Sequence, residues 1–221
     1  MHIEPGQLAA STILGANVVA SALLVSQLPG LLLRPALWLR TLLAAGFFSL
    51  FMQMYHLPVG PSELHFVGAM PIYLLFGFLP TLFGFALGLL AQGLIFEPQD
   101  LLHLGVNALS LMLPLLAVHF SVGRRLAEAA RNGEIASLLK LDGFYYSGVT
   151  LMVGFWLSQG LVATPLVEWA HFAASYVTLV LLEPVFTWGI VSLLTRASGQ
   201  TATPAWARLC LDEKLVQRSA A

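Results

Sequence analysis

Charge is what this sequence has least of. Only 10% of its 221 residues are charged, 10 Lys/Arg and 11 Asp/Glu, where an ordinary soluble domain carries roughly 25%. So few charges cannot coat a soluble surface of this size, which excludes a soluble enzyme and a disordered chain. A net charge of −1 gives no basic field for nucleic acid. A single cysteine, Cys210, rules out an internal disulfide or a cysteine-rich metal site. No G-x-x-x-x-G-K-[ST] sequence is present, so ATP hydrolysis would have to come from another chain, and no H-E-x-x-H marks a metallohydrolase. The start lacks a basic segment and a small-residue cleavage site, so the first apolar run is expected to stay as a helix. What remains is 58% hydrophobic, with a mean hydropathy of +0.83. That composition predicts an all-α, multi-pass helix bundle in the cell (inner) membrane.

The positions of the charges draw the spans, because a charge at the bilayer centre costs roughly 3 kcal/mol or more. Charge-free runs cover 5–33, 41–62, 64–96, 101–123 and 143–167, and 169–195 is broken only by Glu183. As one helix the 64–96 run would be roughly 50 Å long, well beyond about 30 Å of hydrocarbon. Gly77-Phe78-Leu79-Pro80 supplies a helix end and a helix start, and so predicts a fold-back. Seven spans follow, at about 8–28, 36–55, 65–78, 80–96, 101–122, 144–163 and 169–195. With the N-terminus outside, all ten Lys/Arg fall on the cytoplasmic side, as the positive-inside rule asks. The chain then reads as a single transmembrane domain. It has an outward N-terminal segment (1–7), a cytoplasmic loop (123–142) and a cytoplasmic tail (197–221).

This orientation puts five of the six histidines at or near the outer side: His2, His56, His65, His103 and His171. Imidazole is a general ligand for d-block ions, yet histidines also collect at the wet ends of helices, and His119 and His171 are read that way. His2 differs because of its position. The Met1 amine, the His2 amide and the His2 ring Nδ1 lie in series and close two fused chelate rings. Ionising an amide requires a strongly Lewis-acidic ion that accepts square-planar coordination, which suits Ni(II) and Cu(II) better than Mg(II) or Ca(II). A fourth ligand is then needed. His65 and His56 qualify about equally on the residues alone. Glu63, two residues before His65, is either an orienting carboxylate for an imidazole or a solvated loop acid.

Several short motifs, in order, resemble the CbiM/NikM family, the substrate-binding membrane components of energy-coupling-factor (ECF) transporters for cobalt and nickel. They are Met1-His2-Ile3 with Gly6, the His65…Gly68 loop, Leu75-Phe76-Gly77, Leu90-Ala91-Gln92 with Leu94-Ile95-Phe96, Gly105-Val106-Asn107-Ala108-Leu109-Ser110 and Glu183-Pro184-Val185-Phe186-Thr187. The resemblance runs from residue 1 to about 196. It implies a seven-helix protein whose N-terminus folds into an outward pocket and holds metal through Met1, His2 and His65. It further implies a separate transmembrane coupling protein and a cytoplasmic ATPase pair. Two departures stand out: a more acidic and apolar loop, Glu63-Leu64-His65-Phe66-Val67, and His56, which has no family counterpart.

The expected function is therefore capture of Ni(II) or Co(II), with Cu(II) also suited to the chelate, as transported substrate rather than cofactor. The alternative is a stand-alone membrane metal-binding, assembly or sensor protein with no ATPase partner. An intramembrane enzyme using His103, His171, Glu168 and Glu183 ranks below both. Asn107, about two turns into span five, is expected to bond the N-terminal segment, His65 or, equally, a neighbouring helix. Glu183 is read as a protonated carboxyl bracing the kink at Pro184. Gly84 and Gly88 form a G-x-x-x-G that suits close helix contact, assigned to internal packing.

Overall fold

The computed structural model describes residues 6–59, 62–198 and 204–216. Most charge-free runs become helices, because a backbone in lipid must satisfy its own hydrogen bonds. Helix α1 (Ala10–Leu32) and helix α2 (Ala36–Met54) are separated at Pro35, which has no N–H with which to continue a helix. An antiparallel hairpin follows, β1 (His56–Val59) with β2 (Ser62–His65). The short helix α3 (Ala69–Phe76) ends at Gly77, whose φ of +87° favours glycine, and α4 (Phe78–Ile95) starts at the next residue. The expected reversal therefore lies where Gly77 and Pro80 predict it.

After a 3₁₀ turn at Pro98–Leu101, α5 (Leu104–Val118) runs through a π turn at His119–Gly123 into α6 (Arg124–Arg131). Helices α7 (Ile135–Ser158) and α8 (Leu166–Ser198) complete the bundle. Two short helices, α9 (Ala205–Cys210) and α10 (Glu213–Val216), pack beneath it.

Three expectations need correction. The third span does not start as a helix at 65: residues 62–65 are a strand, and helix begins only at Ala69. Its eight residues reach roughly 12 Å, and extended backbone supplies the approach. That backbone is tolerated because protein surrounds it: Leu64 and Val67 are buried. The expected 123–142 loop is instead mostly helical, and α7 starts nine residues before the expected span start at 144. Within it Asp142 is wholly buried rather than solvated. Among the described residues, five helical stretches are long and apolar enough to cross a membrane: α1, α2, α4, α5–α6 and 166–194 of α8. Helix α7 is as long but carries Lys140 and Asp142.

Small residues set the closest approaches. A Cβ on Gly84 would stand 2.6 Å from that of Ala44, and one on Gly88 would strike the Phe48 ring, so the G-x-x-x-G seats α4 on α2. Between α1 and α5, Asn17 accepts from the Gly105 N–H at 2.7 Å and donates to the Leu102 carbonyl at 3.3 Å.

The bundle has two unlike ends. The hairpin end gathers the start of α1, the end of α2, the β-hairpin, the start of α5 and the α7–α8 connection. There the chain start is tied down by a bridge from Leu8 to Gly160 and by the Leu161 N–H donating to the Gln7 carbonyl at 2.7 Å. The opposite, basic end carries Arg34, Arg40, Arg124, Arg125, Arg131 and Arg196, and the tail docks on it. Arg40 donates to the carbonyls of Arg208 (3.0 Å) and Leu209 (3.3 Å), and the Asp212 N–H donates to the Leu75 carbonyl at 2.6 Å.

Candidate functional site

Three of the six candidate residues share one face of the hairpin. Residues two apart on a strand point the same way, and directly opposed residues on paired strands share a side. Glu63 and His65 are two apart on β2, and His56 is the register partner of His65. The consequences are measurable. Glu63 Oε2 lies 3.0 Å from His65 Nε2. The imidazoles of His56 and His65 stack with centroids 6.1 Å apart and planes 28° from parallel. His65 is 5% exposed, while His56 is exposed on the outer strand. The two histidines that sequence alone could not rank are thus direct neighbours, one inside the bundle and one at its rim.

In a neutral imidazole the Glu63 contact favours one tautomer. A carboxylate accepts from Nε2–H, which leaves Nδ1 as the ring nitrogen with the lone pair. Metal-binding histidines commonly have their second nitrogen held this way. Glu63 touches the His65 ring and keeps 30% of its side chain exposed, so the contact suits an orienting carboxylate while the acid still meets solvent. The backbone is equally constrained. Phe66 N–H donates to the Tyr55 carbonyl at 3.1 Å, and Gly68 (φ +60°) packs so tightly on the Phe51 ring that a side chain there would collide with it.

Asn107 is 2% exposed on α5, and its Oδ1 has no hydrogen-bond partner among the described residues. The expected bonds from Asn107 to His65 or to a neighbouring helix are absent among those residues. One turn earlier His103 is fully buried, and both its ring nitrogens lack partners among the described residues. The start of α5 is therefore polar and buried at the hairpin end. Met1 and His2 lie outside the described residues.

The other singled-out residues lie elsewhere. His171 is exposed, and Glu183 is buried among α3 and α7, so His103, His171, Glu168 and Glu183 are not one cluster. His119 is no wet interfacial histidine: its Nδ1 is 2.9 Å from the Tyr73 hydroxyl, and its ring stacks on Phe78 at 4.0 Å. Glu183 does not brace its own kink. Its carboxylate accepts from the Met70 N–H at 3.1 Å and from the Tyr146 hydroxyl. Its backbone carbonyl accepts from the Thr187 hydroxyl at 2.8 Å, which accounts for the E-x-x-x-T spacing as an i, i+4 bond.

Sequence reading missed Asp142 and Tyr146. A signal was present, since Leu138, Leu141, Tyr145, Val149 and Val153 are all buried and recur at three- and four-residue steps that place 142 and 146 on the same inner face.

Compared with known families, residues 2–201 match the model of the cobalt uptake substrate-specific transmembrane region. The chain belongs to that family. No curated protein and no solved structure matches it. This cobalt-uptake component is a multi-pass membrane protein, and its family places the metal as cargo rather than as a resident cofactor. The stretch His65…Gly68, which carries part of the resemblance, spans the end of the buried strand and the left-handed Gly68 before α3, and Leu75-Phe76-Gly77 falls at the α3–α4 reversal.

Proposed function

We propose that this cobalt-uptake component captures Ni(II) or Co(II) at the hairpin end through the Met1 amine, the His2 amide and ring, and His65 Nδ1. The observation that carries the reading is the Glu63–His65 contact at 3.0 Å. With Nε2–H given to the carboxylate, the Nδ1 of a buried neutral imidazole is left for a metal. Chain reach supports it. The Leu8–Gly160 bridge ties the chain at this same end, and seven residues separate Leu8 from Met1, a span of roughly 25 Å at full extension. His56, stacked on the rim side, serves as an entry ligand.

In this reading the hairpin end faces outside, the basic end faces the cytoplasm, and seven segments traverse or enter the bilayer. The short α3 segment enters through the hairpin. Nine of the ten Lys/Arg belong to described segments, among them Lys140, Arg208 and Lys214, and all nine then obey the positive-inside rule. Energy comes from a separate ECF-type coupling protein and ATPase pair, because this sequence holds no P-loop.

Metal binding by the purified full chain tests the ligand set. A native N-terminus is compared with a form bearing one added residue, which displaces the amine. The added residue is expected to weaken Ni(II) or Co(II) binding roughly 100-fold or more, about 2.7 kcal/mol. His65→Ala should do the same, Glu63→Gln should cost about tenfold, and His56→Ala should cost less. Equal affinity in the native and extended forms would remove the amine from the site. Amine and imidazole ligands must be deprotonated to bind, so affinity should also fall between pH 7.5 and 5.

A further inference from the structure

The docked tail lies beyond residues 2–201, which match the family model. Its two short helices, α9 and α10, form an amphipathic stretch. Ala207, Leu211 and Leu215, spaced four apart, are buried together with Val216, whereas Trp206 and Leu209 are exposed. Asp212 joins the two helices. Its Oδ1 accepts from the Lys214 N–H at 2.8 Å, which caps the start of α10.

The bundle meets this stretch as a receptor meets a peptide, through backbone bonds and a side-chain notch. Arg40 of α2 is 3% exposed, and it donates through Nη2 to the Arg208 carbonyl at 3.0 Å and through Nε to the Leu209 carbonyl at 3.3 Å. A buried guanidinium needs acceptors, and the end of α9 leaves such carbonyls open. Among the described residues no carboxylate pairs with Arg40. The Leu75 carbonyl, left open in the same way at the end of α3, accepts from the Asp212 N–H at 2.6 Å. One side chain is read as well: Asp212 Oδ2 fills the space that a Cβ on Gly77 would take, 3.9 Å from Arg131 Nη2. Among the described residues the polar ties between tail and bundle run through Arg40, Leu75 and Arg131. A short segment held at a few points opens locally at lower cost than a packed helix.

We propose that Arg40 and the finish of α3 form a peptide-binding site at the basic end, filled by the chain's own residues 205–216 as a detachable plug. Its ligand class is a short amphipathic peptide that presents two helix-end carbonyls to Arg40 and, three residues later, an aspartate to the Gly77 notch. Lifting the plug bares Arg40, the Leu75 carbonyl and the notch, so the tail is an autoinhibitory occupant that decides whether another such segment docks. This site is separate from the hairpin and stands whether or not the hairpin binds metal.

Hydrogen exchange of the purified full chain, read by mass spectrometry, tests both the plug and the site. In the wild type the amides of 205–216 should exchange roughly tenfold or more faster than those of α5 and α7. Tail amides as slow as those of the two bundle helices would overturn the plug, and this arm needs no variant. A full-length chain carrying both Leu211→Asp and Leu215→Asp places charges on two buried anchors of the tail and should free it, and its thermal melt reports an intact bundle. Exchange at 73–77 should then rise roughly tenfold, with 56–65 in the hairpin unchanged. A synthetic peptide of residues 204–216, added to that variant, should restore the wild-type rate at 73–77, and the same peptide with both substitutions should not. A tail still protected in the variant would place its anchors elsewhere and overturn the proposal. So would exchange at 73–77 that does not rise when the tail is free, or that the peptide fails to slow.

Discussion

The two ends of the eight-residue helix α3 are held by opposite chemistry. At its start, the Met70 amide donates to the Glu183 carboxyl at 3.1 Å. At its finish, the Leu74 carbonyl accepts twice from Arg131, at 3.3 Å each, and the Leu75 carbonyl accepts from the Asp212 N–H. Helices leave donors unsatisfied at the amino end and acceptors at the carboxyl end, with the matching partial charges. Here an acid meets the first and a guanidinium the second. The two ends differ in where the partner comes from. Glu183 belongs to a bundle helix and is buried with Asp142, whereas Asp212 belongs to the docked tail and is partly exposed. The start of α3 is thus fixed by the core that also positions His65, three residues before Gly68. The finish is fixed by Arg131 at the end of α6 and by the docked tail.

Breaking the start should therefore cost most. Glu183→Ala strands the Met70 amide and the Tyr146 hydroxyl in a buried site, and should lower stability by about 3 to 5 kcal/mol. Thermal unfolding in detergent would read this as a large loss. Glu183→Gln, which can still accept from the Met70 N–H, should recover much of it. At the finish, Arg131→Met removes both bonds to the Leu74 carbonyl while keeping the apolar stem that packs at a site 8% exposed. A loss of about 2 kcal/mol is expected, with hairpin geometry, and hence His65, unchanged. A similar fall in metal affinity for Arg131→Met and Glu183→Ala would show that the two ends are not independent.

Much of this was legible in the sequence, for identifiable reasons. Charge-free runs delimit helices because charges are costly in lipid. Gly77 with Pro80 gives the reversal because only glycine accepts that backbone and proline favours a helix start. The hairpin was not legible: 56–65 has no charge pattern that separates strand from helix, and its middle, Pro58 to Pro61, reads only as a loop. Asp142 misled for a physical reason. The rule that charges mark water takes no account of helix face, and Asp142 lies wholly buried on the inner face of α7. Glu63 was ambiguous because an acid two residues from a histidine touches it on a strand and not on a helix, so its role follows from the secondary structure that the sequence left open.

The smallest effect should come from Asp212→Asn, which separates two roles that one residue combines. Asp212 Oδ2 lies 3.9 Å from Arg131 Nη2, at the outer edge of an ion pair. Its Oδ1 accepts from the Lys214 N–H at 2.8 Å at the start of α10, and its own N–H bonds the Leu75 carbonyl. Asparagine keeps the backbone bond and can keep the Oδ1 contact, losing only the charge. A partly exposed pair at that distance contributes under about 1 kcal/mol, so the melting shift should be slight and should vanish in high salt. Gly77 provides the contrast, because its missing side chain leaves the space that Asp212 Oδ2 occupies. Gly77→Ala strains a φ of +87° and pushes the tail off α3 together. If Asp212→Asn matched Gly77→Ala in its effect, charge rather than fit would hold the tail, and the finish of α3 would be as electrostatic as its start.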